Sequence, residues 1–378
     1  MSSFPPAGIE RHFRKLRFTP LFRPWLRLTA LLWGLMIPFS AGCSPIYVIR
    51  AAYEEGKILW RREPIVEFLA DAKLGKDTKG KLELVLAVRE YAQTVLKLDV
   101  AGSYATYSYV DRPDLSYILT AAPRTDLKAY TWWFLFVGSV PYKGYFSRED
   151  AVAAAQELEA DGYDTNIRTT AAFSTLGWFD DPLLAHLLKY DEVTLADIVF
   201  HELFHNTLYV KGASNFNESV ANFVGGRATI DFFRARNGEG SAQYQRAIDR
   251  WREELEFSTF IEQLGQSLTE LYAREIPSRE KLRLREEIFT SAQEAWKKRI
   301  GDRKKSRFQN FYKQPLNNAV MIQYLLYLKN LRLFEALYEN QNHDLVRTLD
   351  AIRAAVPNGN DPFDTVQGLL AKRSSSTS

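Results

Sequence analysis

The chain has 378 residues, 46% hydrophobic, 25% charged and 13% aromatic, which excludes a disordered protein and is enough for one large domain. Its formal charge of +3 arises in the first 43 residues, where six Lys/Arg stand against one acid, Glu10, for a net of +5; the remainder carries −2. With that segment set aside, no basic excess remains to hold a phosphate backbone, so no nucleic-acid partner is expected.

The segment 1–43 has the order of a targeting signal. A basic stretch precedes "LTALLWGLMIPF", Leu28–Phe39, and the small residues Ser40, Ala41 and Gly42 lead to Cys43. This mostly apolar run is short for a bilayer span but suits a signal-peptide core. Cys43 is the single cysteine, which excludes an internal disulfide. It stands where a bacterial lipoprotein signal carries its lipidated cysteine. A lipid at Cys43 would tether the chain to a membrane without a spanning helix. Ser44 follows, rather than the Asp that signals inner-membrane retention. The expected location is therefore the cell envelope, at the outer membrane facing the periplasm.

Beyond Cys43, helical spacing of apolar residues predicts helices over Ile49–Trp60, Pro64–Ala72 and Lys79–Leu96. "SYATYSYV" (Ser103–Val110) and "LSYILTAAP" (Leu115–Pro123) are rich in Tyr, Thr and Val and read as paired strands around "DRPD". Tyr130–Phe146 continues the aromatic strand region. A capped helix from Ser147 and a strand from Tyr163 to about Thr175 come next, with Asp161-Gly162 between them. A further helix is expected from an N-cap at Thr194 to Leu208, and another from Asn217. From Ala242 to Leu370 almost everything fits long amphipathic helices, and "KRSSSTS" (372–378) reads as a disordered tail. This order predicts an α+β domain, helices packed beside a small mixed or antiparallel sheet, spanning 44–371.

One stretch carries chemistry. "HELFH" places His201 and His205 four residues apart, on one helical face, with Glu202 beside them. Two imidazoles can share one ion, and the carboxylate is placed to take a proton from a water there. Zinc suits such donors, needing three protein ligands and leaving a fourth position open. A His six positions after His205 would make one known variant, but Lys211 stands there. The first acid after Glu202 is Glu218, in "FNESVANF". A helix, a tight turn through "KGASN" and an antiparallel helix would bring it back over the histidines. Asp231 is the competing third ligand, nearly four turns farther along. His186 and His343 lie on apolar helical patterns and read as structural. Tyr209 is placed on the same helical face as the histidines, one turn beyond them, as a supporting or core residue.

Several separated blocks extend the pattern. "VPYKGYFSREDA", "FSTLGWFDDPLL", "FHELFHNTLYVKG", "FNESVANFVG" and "PLNNA" together resemble a family of bacterial lipoproteins described as predicted aminopeptidases, over most of Cys43 to about Asp350. The resemblance implies a zincin-like metallopeptidase fold with His201, His205 and Glu218 as zinc ligands and Glu202 as general base. In such folds an edge strand beside the motif helix receives an extended peptide by strand addition. Ser174, Thr175, Leu176 and Gly177 are the candidates for that edge; the same stretch reads equally well as a core strand ending at Trp178-Phe179. The expected function is zinc-dependent peptidase action, in the aminopeptidase class, on peptide substrates at the cell envelope. The alternatives are an idle zincin-fold lipoprotein serving envelope binding or assembly, and a metal-dependent amidase of wall peptides.

Overall fold

The computed structural model describes Tyr53 and residues 56–374, apart from 111–113, 135–137, 171–179, 302, 304–305 and 357–360. The chain divides between Pro45 and Ile46, and every described residue belongs to the second part. The segment 1–43, Cys43 and the candidate edge Ser174–Gly177 thus lie outside the described residues.

After helical residues 56–60 come β1 (Glu63–Pro64), α1 (Ile65–Phe68) and α2 (Lys76–Thr94), then β2 (Thr106–Ser108) and β3 (Ser116–Pro123). The aromatic strand region Tyr130–Phe146 forms β4 (Trp132–Phe134), β5 (Gly138–Val140) and β6 (Lys143–Tyr145). Helix α3 (Arg148–Ala160) begins at Ser147, whose hydroxyl accepts from the Asp150 N–H, the capping expected there. Strand β7 (Tyr163–Thr170) and β8 (Leu183–Leu184) complete the strands. They form three separate small sheets rather than one: β1-β2-β8, with β2 and β8 parallel, the antiparallel β6-β3-β7, and the β4-β5 pair.

From here the chain is helical: α4 (Glu192–Thr207), α5 (Ser214–Asn237), α6 (Ala242–Tyr272), α7 (Ser278–Ile300), α8 (Asn318–Leu328), α9 (Leu331–Asn340), α10 (Leu345–Ala355) and α11 (Pro362–Ser374). The last runs three residues into the segment expected as a tail. None of the described helices is long and apolar enough to cross a membrane.

Successive side chains of a strand point to opposite faces, and this alternation divides β7 between two neighbours. Ile167 packs with Leu119, Ala121 and Ala155, against α3. The alternate residues face α8: Asp164 accepts from the Asn318 N–H at 3.1 Å, Asn166 donates to Gln323, and Arg168 donates to the Tyr327 hydroxyl at 2.7 Å. In the order β6-β3-β7 this strand is an edge.

Candidate metal and catalytic site

Helix α4 is buried on almost every side. Val193, Leu195, Ala196, Val199, Phe200, Leu203 and Phe204 all lie in the main core. Only a narrow polar stripe, containing Asp197, His201, Glu202 and His205, interrupts the apolar surface. The helix starts three residues before the expected cap: the Asp191 carboxylate accepts from the Thr194 N–H at 3.2 Å and its hydroxyl at 2.9 Å. Thr194 is thus the capped residue, not the cap, because Asp at this position outcompetes it by offering two acceptors. The helix stops at Thr207 and Leu208 is extended, so Tyr209 falls in the loop and leaves the histidine face.

The return of the chain is fixed by Asn217, which the sequence pattern marks only as a helix start, although the helix begins three residues earlier at Ser214. Its side chain is buried, accepts from the Val210 N–H at 2.9 Å and donates to the Val210 carbonyl at 2.8 Å. Gly212, at φ +81°, turns the chain within the loop so spanned. Further along α5, a Cβ at Gly225 would come within 2.7 Å of Asp197 Oδ1 and 2.9 Å of its carbonyl oxygen. Only glycine lets the two helix backbones approach this closely there.

This hairpin delivers Glu218 to the histidines. Its Oε2 lies 3.3 Å from His201 Nε2 and 3.8 Å from His205 Nε2, and the two ring nitrogens are 3.3 Å apart. Among the described residues, His201, His205 and Glu218 form the one group able to hold a metal ion. Bond lengths of about 2.0–2.1 Å to a tetrahedral ion put ligand atoms about 3.3 Å from one another. The observed separations fit that spacing, and the donor set suits a divalent cation. Asp231 is elsewhere: its carboxylate pairs with Arg234 at 3.0 Å. His186 lies on the turn Ala185–Lys189 before α4, and His343 packs on Tyr338 beyond α9; neither joins the site.

The electrostatics follow from burial and crowding. Burial pushes His205 down to about 4, which keeps it neutral as a ligand must be. Burial would also lower His201, but its hydrogen bond to Glu218 and the charges of Glu202, Glu218 and Asp197 outweigh this and raise it. Burial opposes ionisation of Glu218, yet His205, His201 and Arg168 hold its carboxyl below the usual range. These opposite shifts favour a protonated His201 beside an ionised Glu218, a charge arrangement whose place a cation can take. Glu202 is pushed up to about 7, chiefly by burial, with His201 opposing and the Glu218 and Asp181 carboxylates adding to the rise.

All four residues line a cavity of about 460 Å³, a volume suited to a small ligand or short peptide. Its other walls include Tyr142, which lies in the quoted block "VPYKGYFSREDA", and Arg168 and Tyr327, which the sequence does not mark. The alternating polar residues of "YDTNIRTT" signal one polar face of β7, but Tyr327 sits in the mostly apolar "MIQYLLYL", where nothing distinguishes it.

The chain matches the family described as "Putative aminopeptidase" over residues 46–358. It belongs to that family. The description of that family points to a peptidase, and the matched region contains α4, α5, β7 and α8, which contribute walls of the cavity. No curated protein and no solved structure matches the chain.

Proposed function

We propose that this chain is a zinc-dependent peptidase of the cell envelope, with a zincin-like α+β fold. The observation that carries the reading is the convergence of His201, His205 and Glu218 at tetrahedral spacing, with Glu202 in the same cavity, in a member of a peptidase family. His201 and His205 would hold the ion through Nε2 and Glu218 through a carboxylate oxygen. When bound, the ion supplies Lewis acidity, which polarises a peptide carbonyl and acidifies a water. Glu202 follows His201 directly and ligates nothing in this arrangement. Its carboxylate is free to accept the water's proton and hand it to the leaving amine. The purified protein, loaded with zinc and incubated with a mixed peptide library, tests this: about one zinc per chain together with peptide cleavage is expected. A metal-replete chain that cleaves none of the library would defeat the proposal.

Anchoring belongs to the same reading. The short apolar core followed by Ser40-Ala41-Gly42-Cys43 supports lipidation of Cys43 and attachment at the outer membrane, facing the periplasm. Cells fed a fatty-acid analogue should label the protein, and Cys43→Ser should remove the label. Label that persists in the serine variant would show that another residue is modified.

A further inference from the structure

Charge pairing within the cavity is uneven. Asp197, buried, is held by Arg250, whose Nε and Nη2 reach one oxygen at 3.0 and 2.7 Å. Glu254, also buried, accepts from Asn222 at 2.6 Å and forms an ion pair with Arg307. Glu218 belongs to the candidate ligand set and Glu202 is the proposed base. Among the described lining residues, no carboxylate is therefore left to bind the free amine of a substrate.

Arg168 is the reverse case. Strand alternation turns it from β7 into the cavity, where its Nη2 donates to the Tyr327 hydroxyl and its guanidinium lies 5.3 Å from that ring's centre. Its Nε is buried without a hydrogen-bond partner, and among the described residues no carboxylate forms an ion pair with it. Glu202 and Glu218 offset this charge from a distance. A divalent cation on the histidines would take up the negative charge of Glu218 and leave only Glu202, which does not touch Arg168, to offset that charge. A guanidinium in a walled cavity is costly to leave unpaired, and its planar fork matches a carboxylate.

We infer that Arg168 is a specificity residue that binds a carboxylate of the peptide substrate, so that the cavity takes short peptides carrying a free C-terminus or an acidic side chain. In a di- or tripeptide the terminal carboxylate falls within one or two residues of the bond to be cut, close enough for one cavity to read both. The inference rests on the peptidase reading of the site, but the two can fail separately.

The test uses the full-length, zinc-loaded protein and three probes: Ala-Ala-Ala with a free carboxylate, its C-terminal amide, and Ala-Glu-Ala amide. Binding is measured by calorimetry in a Glu202→Gln background, which prevents turnover, and kcat/KM is measured with Glu202 intact. The free acid, the acidic amide or both should bind about 10- to 100-fold tighter than Ala-Ala-Ala amide, as expected for a charge-assisted contact in a desolvated site. Which of the two does so identifies the source of the carboxylate. Arg168→Gln should bring the acid-to-amide ratio close to one, and Arg168→Lys should restore part of it. Equal binding of all three probes, no binding of any, or a ratio that survives Arg168→Gln overturns the inference. Equal losses for acid and amide in Arg168→Gln do so as well, because they place Arg168 on the reacting carbonyl, through Tyr327, or in the scaffold. Selective binding without cleavage would defeat the peptidase reading and leave this inference standing; unselective cleavage would do the opposite.

Discussion

Glu202→Gln is expected to lose peptide hydrolysis by on the order of 100- to 10,000-fold while keeping its metal. The separation follows from geometry. The three ligand atoms come from His201, His205 and Glu218, and Glu202 stands next to His201 without contributing one. Glutamine preserves shape and one acceptor oxygen but cannot accept the proton. Burial also favours the substitution structurally, since the cavity already pushes the Glu202 carboxyl up to about 7 and a neutral amide avoids that desolvation. Metal content and initial rates, measured on the same preparation, decide the matter. A glutamine variant that cleaves peptides at the parental rate would remove Glu202 from the mechanism. One that also loses its metal would make Glu202 part of the binding shell.

Glu218→Ala carries the second large effect, and it runs through the metal. Removing the carboxylate leaves two imidazole nitrogens 3.3 Å apart without a third donor. Loss of a partner behind a ligand costs about 10- to 100-fold in metal affinity, and loss of a direct donor exceeds that. Dialysed Glu218→Ala should therefore emerge nearly free of zinc and without hydrolytic activity. Asp231→Ala is the matched control on the same helix. Its carboxylate engages Arg234 outside the ligand group, so that variant should keep its zinc. Full zinc retention by Glu218→Ala, or depletion of Asp231→Ala instead, would reassign the third ligand.

The parts of this site that are legible in the sequence are those set by short-range geometry. Four-residue spacing on one helix brings His201 and His205 together, and a short connection followed by a second helix limits how far Glu218 can stray. The start of α4 lies three residues from the expected cap because Asp191 and Thr194 are both good caps, and the carboxylate's two acceptors decide between them. Asn217 is inconspicuous although it adjoins Glu218, since its value lies in reaching back to Val210. Arg168 and Tyr327 lie 159 positions apart, and no local pattern announces that β7 and α8 will meet. The strands are legible as strands, but their division into three sheets is not, because pairing partners depend on tertiary placement.

The helical hairpin of α4 and α5 has a consequence for how the molecule comes together. Every proposed ligand lies between His201 and Glu218, held by contacts of short sequence separation, the kind that form early because little chain entropy is spent closing the loop. The cavity is different: it closes only when β7 and α8 dock, far apart in sequence and therefore late in assembly. A chain folded as far as the hairpin already has what a cation needs, yet offers a peptide nowhere to sit. Metal bound to such a chain would stabilise the hairpin without completing the pocket, so zinc stoichiometry certifies one element of the structure and says nothing about how many molecules in a preparation are competent.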